Sequence, residues 1–230
     1  MEYIINGIKG AIQIIFSLDR EFLGIVATSL RISLTSTALS AFLGIPFGLW
    51  VGLGKFKGRN FLQTILNTLM SLPTVVVGLT LYSFLSRRGP LGGVNILFTP
   101  LAVVIGQFIL AFPIVAAFTS SGANNIGQTP IIAARLLGAG KIKSNLLFLK
   151  EAKIIIITSV LAGFGRVFAE VGVSMMLGGN IRFYTRNITT AIALETSKGM
   201  FELGIALGIV LISVAFMINI IVFQFQRKQS

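Results

Sequence analysis

Five stretches of this chain, 22–53, 61–85, 98–118, 154–178 and 201–223, each run for roughly 20 residues or more with few polar interruptions. A helix rises about 1.5 Å per residue, so each is long enough to cross the ~30 Å hydrocarbon of a bilayer. That pattern sets the class: an all-α polytopic membrane protein in which one bundle accounts for the 230 residues. Only 11% of residues are charged and mean hydropathy is +0.90, where a soluble domain carries about 25% charged residues.

The composition removes several functions. There is no Cys and no His, and seven carboxylates are scattered over the whole length. Disulfides, thiol nucleophiles and Cys or His metal sites are excluded, and acid–base catalysis has little to work with. The chain is not expected to be an enzyme or to bind a cofactor or metal. Its net charge is +12, but the basic residues sit in connectors and form no aromatic-basic face, so a nucleic acid partner is not expected. Basic span ends fit a lipid bilayer.

Residues 3–18 are apolar but short, and Asn6, Gly7, Lys9 and Gln13 interrupt them. Ile4, Ile5, Ile8, Ile12 and Ile15 fall at helical spacing, which predicts an interfacial amphipathic helix within an N-terminal segment 1–21. A tilted span over the same residues stays open. Met1-Glu-Tyr-Ile lacks a basic leader, so no signal peptide is expected. The membrane domain then covers 22–224, with connectors 54–60, 86–97, 119–153 and 179–200. With 119–153 cytoplasmic, five spans place the N-terminus outside and the C-terminus in the cytoplasm. The cytoplasmic side then holds ten Lys and Arg against seven outside, a small bias in the positive-inside direction.

Polar residues inside the spans are the next constraint, since in lipid they must face protein or water. Gly44, Gly48 and Gly52 form a small-residue stripe suited to close helix packing. Gln63, Asn67 and Thr74 share a face, with Thr64, Thr68 and Ser71 beside it, and Pro73 predicts a kink. That face should point toward partner helices or a pathway; interhelical packing explains any single member equally well. Gln107 followed by Pro113 repeats the device in the third span. In 154–178, Ser159, Gly163, Arg166, Glu170 and Ser174 predict one helical stripe, with Arg166 and Glu170 an i,i+4 ion pair inside the membrane. The pair is either part of a gate or a clamp between helices. Beyond it, Arg182 and Arg186 suit an anion arriving from outside, and solvated loop charges account for them as well.

In the 119–153 connector, Thr129 as N-cap, Pro130 in the first turn and Gly138 past the end predict a short helix over 130–137. Gly138-Ala-Gly140-Lys141 lacks the Ser/Thr and the first Gly of a phosphate loop, so nucleotide binding by this chain is rejected. Ala133-Ala134-x-x-x-Gly138 resembles the core of the "EAA" coupling loop of ABC-importer permeases. Ile132 stands where that family has Glu, and Lys150-Glu151 where it often has Leu-Pro. Asn67-Thr-Leu-Met-Ser71-Leu-Pro73-Thr74-Val-Val-Val-Gly78 and Gly165-Arg166-x-x-x-Glu170-Val-Gly172 resemble segments of the molybdate- and tungstate-type oxyanion permeases. Gly178-Gly-Asn-Ile-Arg182 and Leu194-Glu-Thr-Ser-Lys-Gly199 are similar to the tungstate branch.

The resemblance covers roughly 22–223 and implies the type I importer (MetI-like) permease core of five spans in the cell membrane. It implies a second copy of the chain, a cytoplasmic ABC ATPase dimer that binds ATP-Mg, and an extracellular or periplasmic oxyanion-binding protein. Ala133, Ala134, Arg135 and Gly138 would couple the permease to the ATPase. Asn67, Ser71, Pro73, Thr74, Arg166, Glu170 and Ser174 are candidates for the pathway or gate, and Arg182 and Arg186 for oxyanion arrival. The alternatives are a permease for molybdate or another anion, and, from a different class, an autonomous channel or secondary carrier.

Overall fold

The computed structural model describes residues 2–17 and 19–227, without the side chains of 2–7 and 226–227; the sequence expectations at Ile4, Ile5, Arg227 and Lys228 therefore lie outside what is described. Eleven helices occur among the described residues, with no strand. They are α1 Glu2–Ser17, α2 Arg20–Leu53, α3 Arg59–Met70, α4 Thr74–Leu85, α5 Pro100–Ile126, α6 Thr129–Leu136, α7 Lys141–Glu151, α8 Lys153–Phe168, α9 Gly172–Gly178, α10 Ile188–Ser197 and α11 Phe201–Arg227. α2, α5 and α11 are unbroken helices long and apolar enough to cross a membrane. The second and fourth stretches expected to span are bent helix pairs, α3 with α4 at 94° and α8 with α9 at 62°.

α2 and α5 form the spine. The buried side of α2 is a row of small residues, from Ser29, Ser33, Ser36 and Ser40 through Gly44, Gly48 and Gly52. It lies so close to α5 that a Cβ on Gly48 would sit 2.5 Å from the Ala116 carbonyl oxygen, and one on Gly52 2.5 Å from that of Ser120. In lipid, where apolar burial gives little drive between helices, such contact supplies the packing. Gln107 ties the spine to its neighbour: its carbonyl accepts from Ser36 Oγ at 3.0 Å and its Nε2 donates to the Val167 oxygen at 3.2 Å. By contrast, α11 turns Ile212, Phe216, Met217 and Phe223 outward, as a lipid-facing helix does.

Several boundaries differ from the sequence expectation. α5 continues to Ile126, so the 119–153 connector begins inside a helix. Thr119 and Ser120, which look like loop residues, are fully buried, and the Thr119 and Ser159 hydroxyls bond at 3.0 Å. Pro73 does more than kink its span: it caps α4, and Val76 N and Val77 N both donate to its carbonyl. Pro113 leaves α5 continuous. The stripe from Ser159 to Ser174 is interrupted, because the helix stops at Phe168 and Glu170 lies in the break.

The first segment is helical and docks on α11, with Ala11, Ile14 and Ile15 joining a cluster that includes Phe22, Ile25, Ala206 and Leu207. Ile8, Ile12 and Phe16 face outward. The connector 179–200 folds back into the bundle as α10. Asn187 caps it reciprocally with Thr190, and Ile188 N donates to Ser29 Oγ at 2.6 Å.

Candidate functional site

The two broken spans meet at their breaks. α4 packs on α9, with Gly78 against Met176 and Val173. A Cβ on Gly172 would lie 3.1 Å from Thr74 Oγ1 and 3.3 Å from Glu170 Oε1, so these groups share one neighbourhood. Arg166 Nη1 donates to Glu170 Oε2 at 2.6 Å. The carboxylate is 4% exposed and the guanidinium side chain 37%. Glu170 Oε1 also accepts from Val173 N at 3.3 Å, and its backbone oxygen accepts from Thr189 Oγ1 at 2.7 Å. Glu170 therefore joins α8, α9 and α10. A buried carboxylate without its cation is costly, so the pair holds this corner as a unit.

The other pathway candidates part company. Asn67 on α3 and Ser71 directly after its end stay exposed, beside Thr64 and Thr68, whose hydroxyls bond back to their own helix. This polar face is open on the single chain, and lipid is a poor cover for it. Pro73 is exposed at the head of α4. Ser174 is fully buried on α9, and its hydroxyl finds no hydrogen-bond partner among the described residues. It lies inside the protomer, away from that open face.

At the far end of the molecule α6 and α7 form a projecting knuckle. Gln128, not Thr129, is the residue before α6, and Pro130 falls in its first turn. Gly138 has φ +84, its N–H donates to the Arg135 oxygen at 3.0 Å, and Ala139 N donates to the Ala134 oxygen at 2.9 Å. These two bonds make a Schellman turn, which the absent Cβ of Gly138 permits. Ala134 is buried at the base, while Ala133 and Arg135 are exposed. The turn pushes out Leu136, Leu137 and Ile142, which are 84%, 88% and 85% exposed. Their display was missed in the sequence, although a Leu-Leu pair directly before a helix-ending Gly was there to be seen. Behind them Phe148 and Ala152 anchor the knuckle on Ala123, and Gln128 Nε2 donates to the Leu53 oxygen at 2.9 Å.

On the opposite side Arg182 and Arg186 do not stand free for an anion. Both grip Glu21, Arg182 through two nitrogens and Arg186 through Nη1 at 3.0 Å. The carboxylate raises the Arg182 guanidinium above its ordinary value, first by hydrogen bonding and then by charge. Glu21 comes from the first turn of α2, 161 residues from Arg182, so nothing local signals the pairing. Arg186 is the more buried of the two. Glu21→Gln should lower the melting temperature in detergent, and Arg186→Gln should lower it more than Arg182→Gln. Equal melting of all four proteins would show that the cluster holds nothing.

Residues 44–230 match the sequence profile of the "Binding-protein-dependent transport system inner membrane component" family. The chain belongs to that family, and it is a multi-pass membrane permease component. It is 39% identical over 228 residues to the tungstate uptake system permease protein of Peptoclostridium acidaminophilum, covering 99% of this chain and 100% of that one. To the tungstate uptake system permease protein of Campylobacter jejuni it is 41% identical, with 99% and 95% covered. A probable anion ABC transporter permease protein of Haloferax volcanii is 40% identical, with 89% and 90% covered. A solved inward-facing structure of the MetNI methionine ABC transporter shares the fold at TM-score 0.67 and 18% identity, covering 89% of this chain and 96% of that one.

Proposed function

We propose that this chain is the permease of an ATP-driven importer that moves tungstate into the cell. The cargo reading rests on the full-length similarity to two tungstate uptake permeases. The motor reading rests on one observation: three large apolar side chains held out in solvent on a rigid capped turn. Exposed apolar patches of that kind mark a docking surface. A cytoplasmic ATPase dimer, carrying ATP-Mg, grips the knuckle through Leu136, Leu137 and Ile142, with Ala133, Ala134, Arg135 and Gly138 setting its shape. The knuckle side is then cytoplasmic, with the N-terminus outside and α1 at the membrane interface.

Two copies of the chain bring their open faces of Thr64, Asn67, Thr68 and Ser71 together across a shared pathway. Hydroxyls and amides suit a tetrahedral dianion that must pass without being trapped. The breaks at Pro73 and Glu170 give each broken span a joint. Movement of the knuckle reaches them through α8, and an external binding protein delivers the anion. ATP binding and hydrolysis bias the two states of the gate.

Cells lacking this chain should lose tungstate uptake at nanomolar supply and regain it with the chain restored, and the ATPase should co-purify with it. Competition with molybdate and sulfate reads the cargo directly: equal inhibition by all three anions would replace tungstate by a general oxyanion. Anion flux through the purified chain in vesicles without any ATPase would instead establish a channel or carrier.

A further inference from the structure

Two hollows meet at the C-terminal end of α2. One, of about 400 Å³, is walled by Leu49, Trp50 and Leu53 of α2, Ile131 of α6, and Phe148 and Leu149 of α7. The other, of about 470 Å³, is formed by the 54–60 turn and carries Lys55, Lys57 and Arg59. Gly54 borders both. A Cβ there would lie 2.6 Å from the Trp50 oxygen and 2.6 Å from the Phe56 ring, so the chain must pass tightly between them. Trp50 and Phe56 stack at 4.6 Å, which fixes the wall shared by the apolar and basic sides.

The three cations of the turn differ in duty. Arg59 is spent on structure: it donates to the Val51 and Gly52 carbonyls and to Asn124 Oδ1, closing the end of α2. Lys55 and Lys57 are exposed and make no ion pair among the described residues. A Trp at the end of a span sits at headgroup depth. The site thus offers an apolar groove and two unpaired cations side by side, at the level where lipid tails give way to phosphates.

We propose that an anionic phospholipid occupies this pair of hollows, with an acyl chain along the apolar groove and its phosphate between Lys55 and Lys57. Free phosphate has nothing to place in the groove, and a neutral lipid leaves the two cations unanswered. Ile131, Phe148 and Leu149 belong to the knuckle, so the lipid joins the end of α2 to the element that projects from the membrane. The inference needs only the shape and charge of this corner and is independent of the cargo.

The test uses the full chain in vesicles of phosphatidylcholine and phosphatidylglycerol, with a photoactivatable diazirine in one acyl chain of either lipid. Labelled phosphatidylglycerol should cross-link mainly to 49–54 and 145–149. Labelled phosphatidylcholine should give about tenfold less there, as should phosphatidylglycerol on the Lys55→Gln/Lys57→Gln protein. Arg87→Gln/Arg88→Gln, at the opposite membrane face, should leave the yield unchanged. Equal yields from the two lipids, labelling spread along the spans, or an unaltered yield in the lysine variant would overturn the proposal. So would loss of labelling whenever an ATPase is bound, since protein would then fill the groove.

Discussion

Gly48→Leu should leave almost no folded protein, because the new side chain has no room between α2 and α5. Even the Cβ of an alanine would lie 2.5 Å from the Ala116 oxygen and 2.8 Å from Thr119 Cβ, and the first of these is backbone that cannot turn aside. Gly52 faces the same geometry, with the Ser120 oxygen at 2.5 Å. Gly44 is less tight, its nearest neighbour being a Val115 methyl at 3.2 Å. Overpacking a close contact costs about 1–3 kcal/mol, and more where the backbone must move. The expected order of melting temperature in detergent is therefore Gly44→Ala above Gly48→Ala and Gly52→Ala, with Gly48→Leu aggregated on size exclusion. Gly208 has nothing within 4 Å of an added Cβ, so Gly208→Ala is the matched control and should melt at or slightly above the parent. If Gly48→Ala melts with that control, the spine is not held by this seam.

That seam shows which parts of the fold can be read from sequence. A bilayer imposes span length and penalises exposed polar groups, so the long apolar helices α2, α5 and α11 and the glycine stripe follow from residue type and spacing alone. The Schellman turn at Gly138 is equally legible, because its bonds reach only a few residues back. Errors begin where partners are distant. Thr119 and Ser120 look like loop residues until Ser159 and the α2 glycines are brought against them. The break at Glu170 has no proline to announce it; the carboxylate leaves the helical stripe to serve Arg166 and Val173 N, and α10 secures it from 19 residues away through Thr189. Arg182 and Arg186 looked like an anion site because Glu21 is far off in the chain. At the candidate pathway, residue type identified the polar face of α3, but only the fold shows that Asn67 and Ser71 stay open while Ser174 is buried.

Leu136→Asp combined with Leu137→Asp should abolish capture of the ATPase while leaving the permease itself intact. Both side chains are more than four-fifths exposed, so the isolated protein has little packing to lose and should melt like its parent. Burying one leucine against a partner contributes about 1.5–3 kcal/mol, and two carboxylates add a desolvation penalty in any apolar cleft. Losing both contacts should weaken binding by roughly two to four decades, measurable by co-purification and by titrating the ATPase onto reconstituted permease. Gly138→Val tests the same surface through its frame. Nothing lies within 4 Å of the added Cβ, so crowding is not the issue. The cost comes from φ +84, where a β-branched residue is strained by about 1–2 kcal/mol or more, enough to open the turn and re-aim Leu137. Transport should fall in both variants, but for different reasons: the aspartates remove the grip, while the valine keeps the leucines and spoils their angle. A double aspartate variant that still binds the ATPase and imports at the parental rate would mean that the knuckle is not where force enters the permease.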